Sequence, residues 1–140
     1  MKNEDVLTLI KYRLEQAKGA LNDAKCLLDS NRTSQGIINR AYYAMFYATL
    51  ALVIKTGKTF SKHSGVISVF DIDFVREGLL PKELSKDLHK VFRLRNESDY
   101  IMTEEPSFEQ AKETYDKAVN FVALVIQYFQ LNNQTGLKED

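Results

Sequence analysis

The chain is poor in residues that form disulfides, break helices or bind metals. Its 140 residues include one cysteine, two prolines and two histidines. Because Cys26 stands alone, no internal disulfide can form, which argues against a disulfide-stabilised secreted domain and fits a reducing compartment. The opening run Met1 to Asp5 carries acids where a signal peptide has basic and apolar residues, so we expect a cytoplasmic protein.

Long apolar runs are also missing. The longest mostly apolar run without charge covers 41–54, which is fourteen residues. A helix needs about 20 apolar residues to cross a bilayer. The run therefore predicts a buried central helix, and no membrane association is expected.

Metal-ligating residues are few and scattered. His63 and His89 have no acids or thiols beside them at the spacing of metal ligands, so the sequence predicts neither a metal site nor a cofactor. By its position in the chain, His63 is interpreted as part of a capping loop.

Acidic residues are absent from 31–70, although the net charge of the whole chain is zero. This block carries five basic side chains: Arg32, Arg40, Lys55, Lys58 and Lys62. A local excess of positive charge suits an anionic ligand or an acidic partner surface. The alternative, which we favour from the sequence alone, is that a central helix simply carries few charges of either sign.

Helical periodicity dominates the rest of the chain. In the first helix, apolar residues recur at spacings of four and three, which is typical of helices packed nearly antiparallel in a bundle. They are Ile10, Leu14, Ala17, Leu21, Ala24 and Leu28. Asn3 is the predicted N-cap of this helix. The second helix, 35–55, is apolar almost all round and should be the most buried.

Three further helices are predicted after a loop at 57–63. Ser61 or Ser64 is expected to cap a short third helix that Gly78 ends. Pro81 opens the fourth helix, at a position where proline is tolerated. Ser107, with glutamine three residues later, forms a capping box for the fifth helix.

No segment has strand periodicity, and the chain has no internal repeat or low-complexity tract. The sequence therefore predicts an all-α fold, an up-down bundle of four long helices plus one short helix. We expect a single domain over 1–131, followed by a polar tail at 132–140.

The fourth helix carries charge where its pattern calls for leucine. Its core face is defined by Leu84, Leu88, Val91 and Phe92. Arg95 lies seven residues beyond Leu88, and Asp99 seven beyond Phe92, on the same stripe. Buried charges are rare unless they are paired. The pair indicates either a structural ion pair or an anion-binding arginine that is oriented by its carboxylate, and the sequence leaves both open.

Four blocks occur in order along the chain: 39–47, 63–67, 78–84, and Arg95 with Asp99 and Tyr100. In this combination the chain resembles the HEPN domain (higher eukaryotes and prokaryotes nucleotide-binding), and more narrowly its small, stand-alone prokaryotic branch. The resemblance implies a helical bundle that forms a homodimer, with the polar motif near the dimer seam.

The resemblance also implies a class of function. Many such proteins are encoded beside a minimal nucleotidyltransferase and act as two-component toxin–antitoxin systems. The active members are metal-independent ribonucleases in which a histidine follows an arginine by a few residues. In some, the partner enzyme transfers AMP to a tyrosine just past that motif, the place that Tyr100 occupies here.

This chain departs from the ribonuclease pattern, because no histidine follows Arg93 or Arg95. We therefore expect a homodimeric binding and regulatory protein that engages a nucleotidyltransferase and a nucleotide or RNA. The alternative is a metal-independent ribonuclease toxin in which Arg95 stabilises the pentacovalent phosphate and Asp99 or Tyr100 replaces the histidine. A carboxylate paired with arginine is a poor acid at neutral pH, which favours the first hypothesis.

Further candidate binding residues lie on the second helix. Asn39, Tyr43 and Tyr47 are one turn apart and form a polar-tipped aromatic ridge. A hydrogen-bonded structural ridge is favoured over a platform for stacking bases. Arg40 belongs to the basic block and is a candidate for binding an anion or a partner.

Other candidates lie on the fourth helix. Arg93 continues a basic ridge that can follow a phosphate backbone, although a solvated face is the favoured interpretation. Asn96 matches a polar position of the HEPN family or serves as a helix cap. For Tyr100, packing is favoured over a role as modification acceptor.

Overall fold

The computed structural model describes residues 2–100 and 105–132, with side chains described as far as Asn96 and again from Glu105. Within these ranges the chain forms five α-helices and no strand. They are α1 (Asn3–Asp29), α2 (Ser34–Thr56), α3 (His63–Val69), α4 (Lys82–Tyr100) and α5 (Phe108–Leu131). The predicted all-α bundle of four long helices and one short helix is confirmed. The tail predicted after α5 lies outside the described residues, apart from Asn132.

Helix α2 is the centre of the bundle and contacts each of the other four helices. Alanines recur along its buried faces and along the facing side of α1, so the two backbones can approach closely. They are Ala41, Ala44, Ala48 and Ala51 on α2, and Ala17, Ala20 and Ala24 on α1. The predicted α1 seam differs at two positions, because Leu21 and Leu28 are only half-buried, and Ala20, which was not predicted, is buried.

Among the described helices, α2 is the one whose length and composition would be sufficient to cross a membrane. Its most apolar stretch is 67% buried inside the bundle. Such burial is typical of a core helix packed on all sides.

Two helices have an N-cap side chain that accepts a backbone hydrogen bond. Thr33 Oγ1 accepts a hydrogen bond from Gly36 N at 3.2 Å, and Ser107 Oγ accepts one from Gln110 N at 3.0 Å. The Ser107 cap was predicted from the sequence. These bonds satisfy backbone N–H groups that have no partner within the helix.

Two predicted caps are wrong. The N-cap of α1 is Lys2 rather than Asn3, and the N-cap of α3 is Lys62 rather than Ser61 or Ser64. Both lysines have the extended backbone that the position requires, with ψ of 149° and 147°. Neither lysine side chain makes a capping hydrogen bond, so these two helices begin without a side-chain cap.

The short third helix does not remain α-helical to Gly78. It continues from α3 as a π-helical segment, Phe70–Val75, whose Phe70 and Phe74 are buried. Gly78 then takes a left-handed φ of +78°, which favours glycine, and the N–H of Leu79 bonds back to Phe74 O at 2.9 Å. The wider turn places Asp71 beside α4.

We expect Ser107→Ala to lower the free energy of unfolding by about 1 kcal/mol, because the Gln110 N–H loses its acceptor. Urea denaturation measures the change. Ser107→Asp is the matched control, since aspartate keeps the acceptor and its charge is favourable at a helix N-terminus. Equal stability of Ser107→Ala and the unaltered protein would contradict the capping role.

Candidate functional site

Arg95 occupies the end of the core stripe of α4. Leu84, Leu88 and Val91 are buried along this stripe, and Arg95, half-buried, follows them one turn later. Its Nη2 donates a hydrogen bond to Tyr43 Oη at 3.1 Å, and its Nη1 donates one to Asn96 Oδ1 at 3.1 Å. The charge that the helical pattern predicted on the core stripe of α4 therefore lies at the edge of the packed core.

Two tyrosine rings of α2 face the Arg95 guanidinium. Its Cζ lies 5.5 Å from the ring centroid of Tyr42 and 5.4 Å from that of Tyr43. Such cation–π contacts stabilise a cation by roughly 0.5–2 kcal/mol, more when water is excluded. The pair of rings lowers the cost of holding a positive charge against the core.

His63 joins the same cluster from the first turn of α3. Its ring stacks on Phe46 with 3.9 Å between centroids and 18° between planes. Its Nδ1 is 2.8 Å from Tyr42 Oη, within hydrogen-bonding distance. The interpretation of His63 as a capping-loop residue is therefore wrong, because the residue begins α3 and packs against α2.

Sequence reasoning missed the proximity of His63 and Arg95 because it searched for a histidine after the arginine. The two residues are brought together across the fold by α2, not by spacing along one helix. The available signal was the block at 63–67, in which a glycine follows closely after the histidine.

The glycine of that block, Gly65, is required by close packing against Phe60. A Cβ placed on Gly65 would lie 2.7 Å from Phe60 Cδ1 and 3.2 Å from Phe60 Cβ, closer than such atoms pack. The absence of a side chain therefore lets the loop before α3 fold closely over the helix. This close approach helps to fix Lys62 and His63 at the edge of the cluster.

The environment keeps the His63 imidazole neutral. Desolvation by burial lowers the pKa of His63 below its ordinary 6.5, and the positive charge of Arg95 lowers it further. Burial also raises the pKa of Tyr42, so its hydroxyl remains protonated. At neutral pH the site thus presents a fixed cation beside an uncharged imidazole.

Around these side chains lies an open depression of about 420 Å³, which we call the Arg95 depression. Its lining residues are Tyr43, Lys62, His63, Ser64, Phe92, Arg95 and Asn96. Two of them are cations and none is an acid. A concave surface with this charge and these donors suits an anionic group such as phosphate.

A second open depression lies beside Arg40. It has a volume of about 430 Å³, and its polar lining includes Asn39, Arg40 and the acidic Glu105. Arg40 Cζ lies 5.2 Å from the Tyr43 ring centroid, and its Nη2 donates to Asn39 Oδ1 at 3.1 Å. Tyr43 therefore contacts two guanidinium groups, Arg40 and Arg95.

The basic block of the sequence divides in the fold. Arg40 contacts the Tyr43 ring, and Lys62 lines the Arg95 depression. Lys55 instead donates to Tyr128 Oη, and Lys58 pairs with Asp73 at 2.8 Å. Lys62 thus adds positive charge beside Arg95, Lys55 and Lys58 have structural partners, and Arg32 is exposed at the start of the block.

Not every candidate residue reaches the Arg95 depression. Tyr47 packs against Tyr43, with 5.8 Å between ring centroids, and lines neither depression. Arg93 is exposed on α4 and also lines neither. The backbones of Asp99 and Tyr100 belong to α4, whereas their side chains lie outside the described residues.

Within the described ranges, no cluster of three or more histidine, cysteine, aspartate or glutamate side chains has the arrangement needed to hold a metal ion. Cys26 is exposed on α1, away from the cluster around Arg95.

We expect stability to fall as the pH drops below about 6.5, because the unfolded chain takes up a proton on His63 before the native state does. His63→Asn keeps a polar atom near the Nδ1 position but cannot titrate in this range. Thermal unfolding between pH 8 and pH 5 should show a smaller decline for the variant. Parallel curves for the two proteins would contradict the lowered pKa of His63.

Comparison with known proteins places this chain in a family. A family model of the HEPN domain matches residues 10–131, nearly the whole helical bundle. A UPF0332 protein of Thermotoga maritima is 40% identical over 114 residues, which cover 81% of this chain and 86% of that protein. The resemblance inferred from the sequence is thereby confirmed.

Two relatives from Methanocaldococcus jannaschii carry the name "Putative toxin". One is 33% identical over 120 residues, which cover 86% of this chain and 88% of that protein, and the other is 28% identical over 120 residues. Both matches extend over most of the bundle that carries Tyr43, His63 and Arg95. From the family match and these relatives, the chain belongs to the HEPN domain family.

Proposed function

We propose that this protein is the toxin-type component of a two-gene toxin–antitoxin or nucleotidyltransferase pair. In this proposal it is a cytoplasmic homodimer that binds and regulates without catalysis, and its Arg95 depression holds a phosphate group of a nucleotide or RNA. The names of the relatives support the role as a toxin-type component. The observation that carries the phosphate site is the Arg95 guanidinium, which Tyr42 and Tyr43 fix at the wall of an open depression.

Charge and geometry both support phosphate as the ligand. A guanidinium is planar and always protonated, and its fork of donors matches phosphate oxygens. Lys62 adds a flexible ammonium at the rim, and Arg40 adds a third positive charge beyond Tyr43. The contacts with Tyr43 and Asn96 hold the guanidinium in place before a ligand arrives, which reduces the entropic cost of binding.

The proposed partners follow from family membership. A second copy of the chain and a minimal nucleotidyltransferase are the expected protein partners. Light scattering during gel filtration should give twice the chain mass of 16.1 kDa for a homodimer. Co-expression with a nucleotidyltransferase encoded by an adjacent gene, followed by co-purification, tests the second partner.

One observation favours a second candidate function, a metal-independent ribonuclease. His63, a neutral imidazole at neutral pH, lies in the same depression as Arg95. In this reaction His63 removes the proton of the RNA 2′-hydroxyl, and the 2′-oxygen bonds to phosphorus. The bond to the 5′-oxygen breaks, and water supplies the proton to that oxygen. Arg95 stabilises the negative charge of the pentacovalent phosphate.

This second candidate assigns the base differently from the sequence hypothesis. His63 takes the role that was expected of Asp99 or Tyr100. Imidazole suits general-base catalysis near neutral pH better than either a carboxylate paired with arginine or a phenol. The roles of Asp99 and Tyr100 remain predictions, because their side chains are outside the described part of the chain.

We expect Arg95→Ala to raise the dissociation constant for a short single-stranded RNA by about 10- to 100-fold, since hydrogen bonds to charged groups contribute about 1.5–3 kcal/mol. Fluorescence anisotropy at fixed salt measures the change. Arg93→Ala is the matched control, because Arg93 is exposed on the same helix but lies outside both depressions. Equal weakening by the two variants would show that only the general positive charge of α4 is involved.

Incubation of RNA with the metal-free protein separates the two candidate functions. The binding proposal predicts no cleavage by the unaltered protein at any pH between 5 and 9. Cleavage that is lost in both Arg95→Ala and His63→Asn would instead establish the ribonuclease. Cleavage that survives in both variants would indicate a contaminating nuclease.

A further inference from the structure

A groove lies directly beside the Arg95 depression, between α4 on one side and α3 with the π-helical segment on the other. Its volume is about 370 Å³, and its walls are Ser64, Ile67, Ser68, Asp71, His89 and Phe92. Ser64 and Phe92 also line the Arg95 depression, so the two concave surfaces share a wall. A ligand held at Arg95 can therefore extend into this groove, which we call the Asp71 groove.

The floor of the Asp71 groove is apolar and its rim is polar. Ile67 is buried and Phe92 is half-buried, and both present hydrocarbon or aromatic surface. Ser64, Ser68, Asp71 and His89 supply hydroxyl, carboxylate and imidazole groups around this floor. Such a combination matches a flat ring with apolar faces and hydrogen-bonding edges.

The Asp71 carboxylate is held in a fixed orientation by two groups of α4. Ser85 Oγ donates to Oδ1 at 2.7 Å, and His89 Nε2 lies 2.6 Å from Oδ2. A carboxylate offers about four lone-pair positions, so each oxygen retains acceptor capacity after these contacts. Asp71 is thus a preoriented acceptor at the rim of the groove.

The Asp71 carboxylate remains accessible to solvent. The Asp71 and His89 side chains are 30% and 50% exposed, and pairs at this exposure contribute little to folding. The carboxylate is instead fixed where solvent and a ligand can reach it.

We propose that the Asp71 groove binds the nucleobase of a nucleotide whose phosphate is held at Arg95, and that it selects bases with an exocyclic amino group. This inference rests on the proposed phosphate site. The base lies on Phe92 and Ile67, and its amino group donates to Asp71. His89 and Arg95 are six residues apart on α4, about 9 Å along the axis, a span that one nucleotide bridges.

Cytidine and uridine monophosphates provide a matched pair of probes. The two have the same size and phosphate, but position 4 carries an amino donor in cytosine and a carbonyl oxygen in uracil. A carboxylate accepts from the first and repels the second. The unaltered protein should therefore bind cytidine monophosphate at least tenfold more tightly than uridine monophosphate in calorimetric titrations.

Asp71→Asn should remove this preference, because an amide can turn either a donor or an acceptor toward the base. Asp73→Asn is the matched control: it is the same substitution in the same π-helical segment, at a residue that pairs with Lys58 and does not line the groove. The control should keep the tenfold ratio. Arg95→Ala should weaken both nucleotides alike.

The outcomes separate the groove from the phosphate site. Equal affinity of the two nucleotides, lost in Arg95→Ala, would overturn the groove and leave the phosphate site standing. Binding of RNA at Arg95 without binding of either nucleotide would do the same. No binding of RNA or of either nucleotide would overturn both. Because the ratio in the unaltered protein is itself decisive, the test does not depend on the folding of Asp71→Asn.

Discussion

The contact between the Arg95 guanidinium and the tyrosine rings of α2 is the interaction on which the site depends. It ties the end of α4 to the most buried helix of the bundle and fixes a positive charge at the border between core and solvent. Tyr42, the inner ring, is also bonded to His63, so α3 is held in the same cluster. Three helices thus meet around one cation, and the depression beside it is a consequence of their packing.

The same contact also affects the chemistry of its neighbours. Burial lowers the pKa of His63, and the positive charge of Arg95 acts in the same direction, so the imidazole is neutral at neutral pH. The aromatic faces stabilise the guanidinium through its positive charge. An anionic ligand is therefore attracted by Arg95 and Lys62, while His63 is left to act as a hydrogen-bonding group or as a base.

Sequence periodicity was sufficient for the bundle and for the position of Arg95, because both are local properties of a helix. The stripe of Leu84, Leu88 and Val91 predicts where α4 is buried, and its continuation identifies Arg95 as a charge at the core edge. The proximity of His63 and the fixed carboxylate of Asp71 could not be predicted in this way. The first depends on the packing of α3 against α2, and the second on a π-helical turn that the α-helical pattern does not reveal.

Whether His63 acts as a ligand or as a base depends on which of its nitrogens carries the proton, and Tyr42 Oη is the hydrogen-bonding partner of Nδ1. A hydroxyl that donates to Nδ1 leaves the hydrogen on Nε2, which makes the imidazole a donor suited to phosphate binding. A hydroxyl that accepts from Nδ1–H leaves Nε2 with a free lone pair, which general-base catalysis requires. Since burial keeps the Tyr42 hydroxyl protonated, it can serve in either way. A phosphate oxygen near Nε2 needs a donor and therefore favours the first arrangement, so phosphate binding and general-base catalysis require different forms of His63. This difference in the position of the proton is the physical argument for proposing binding ahead of RNA cleavage.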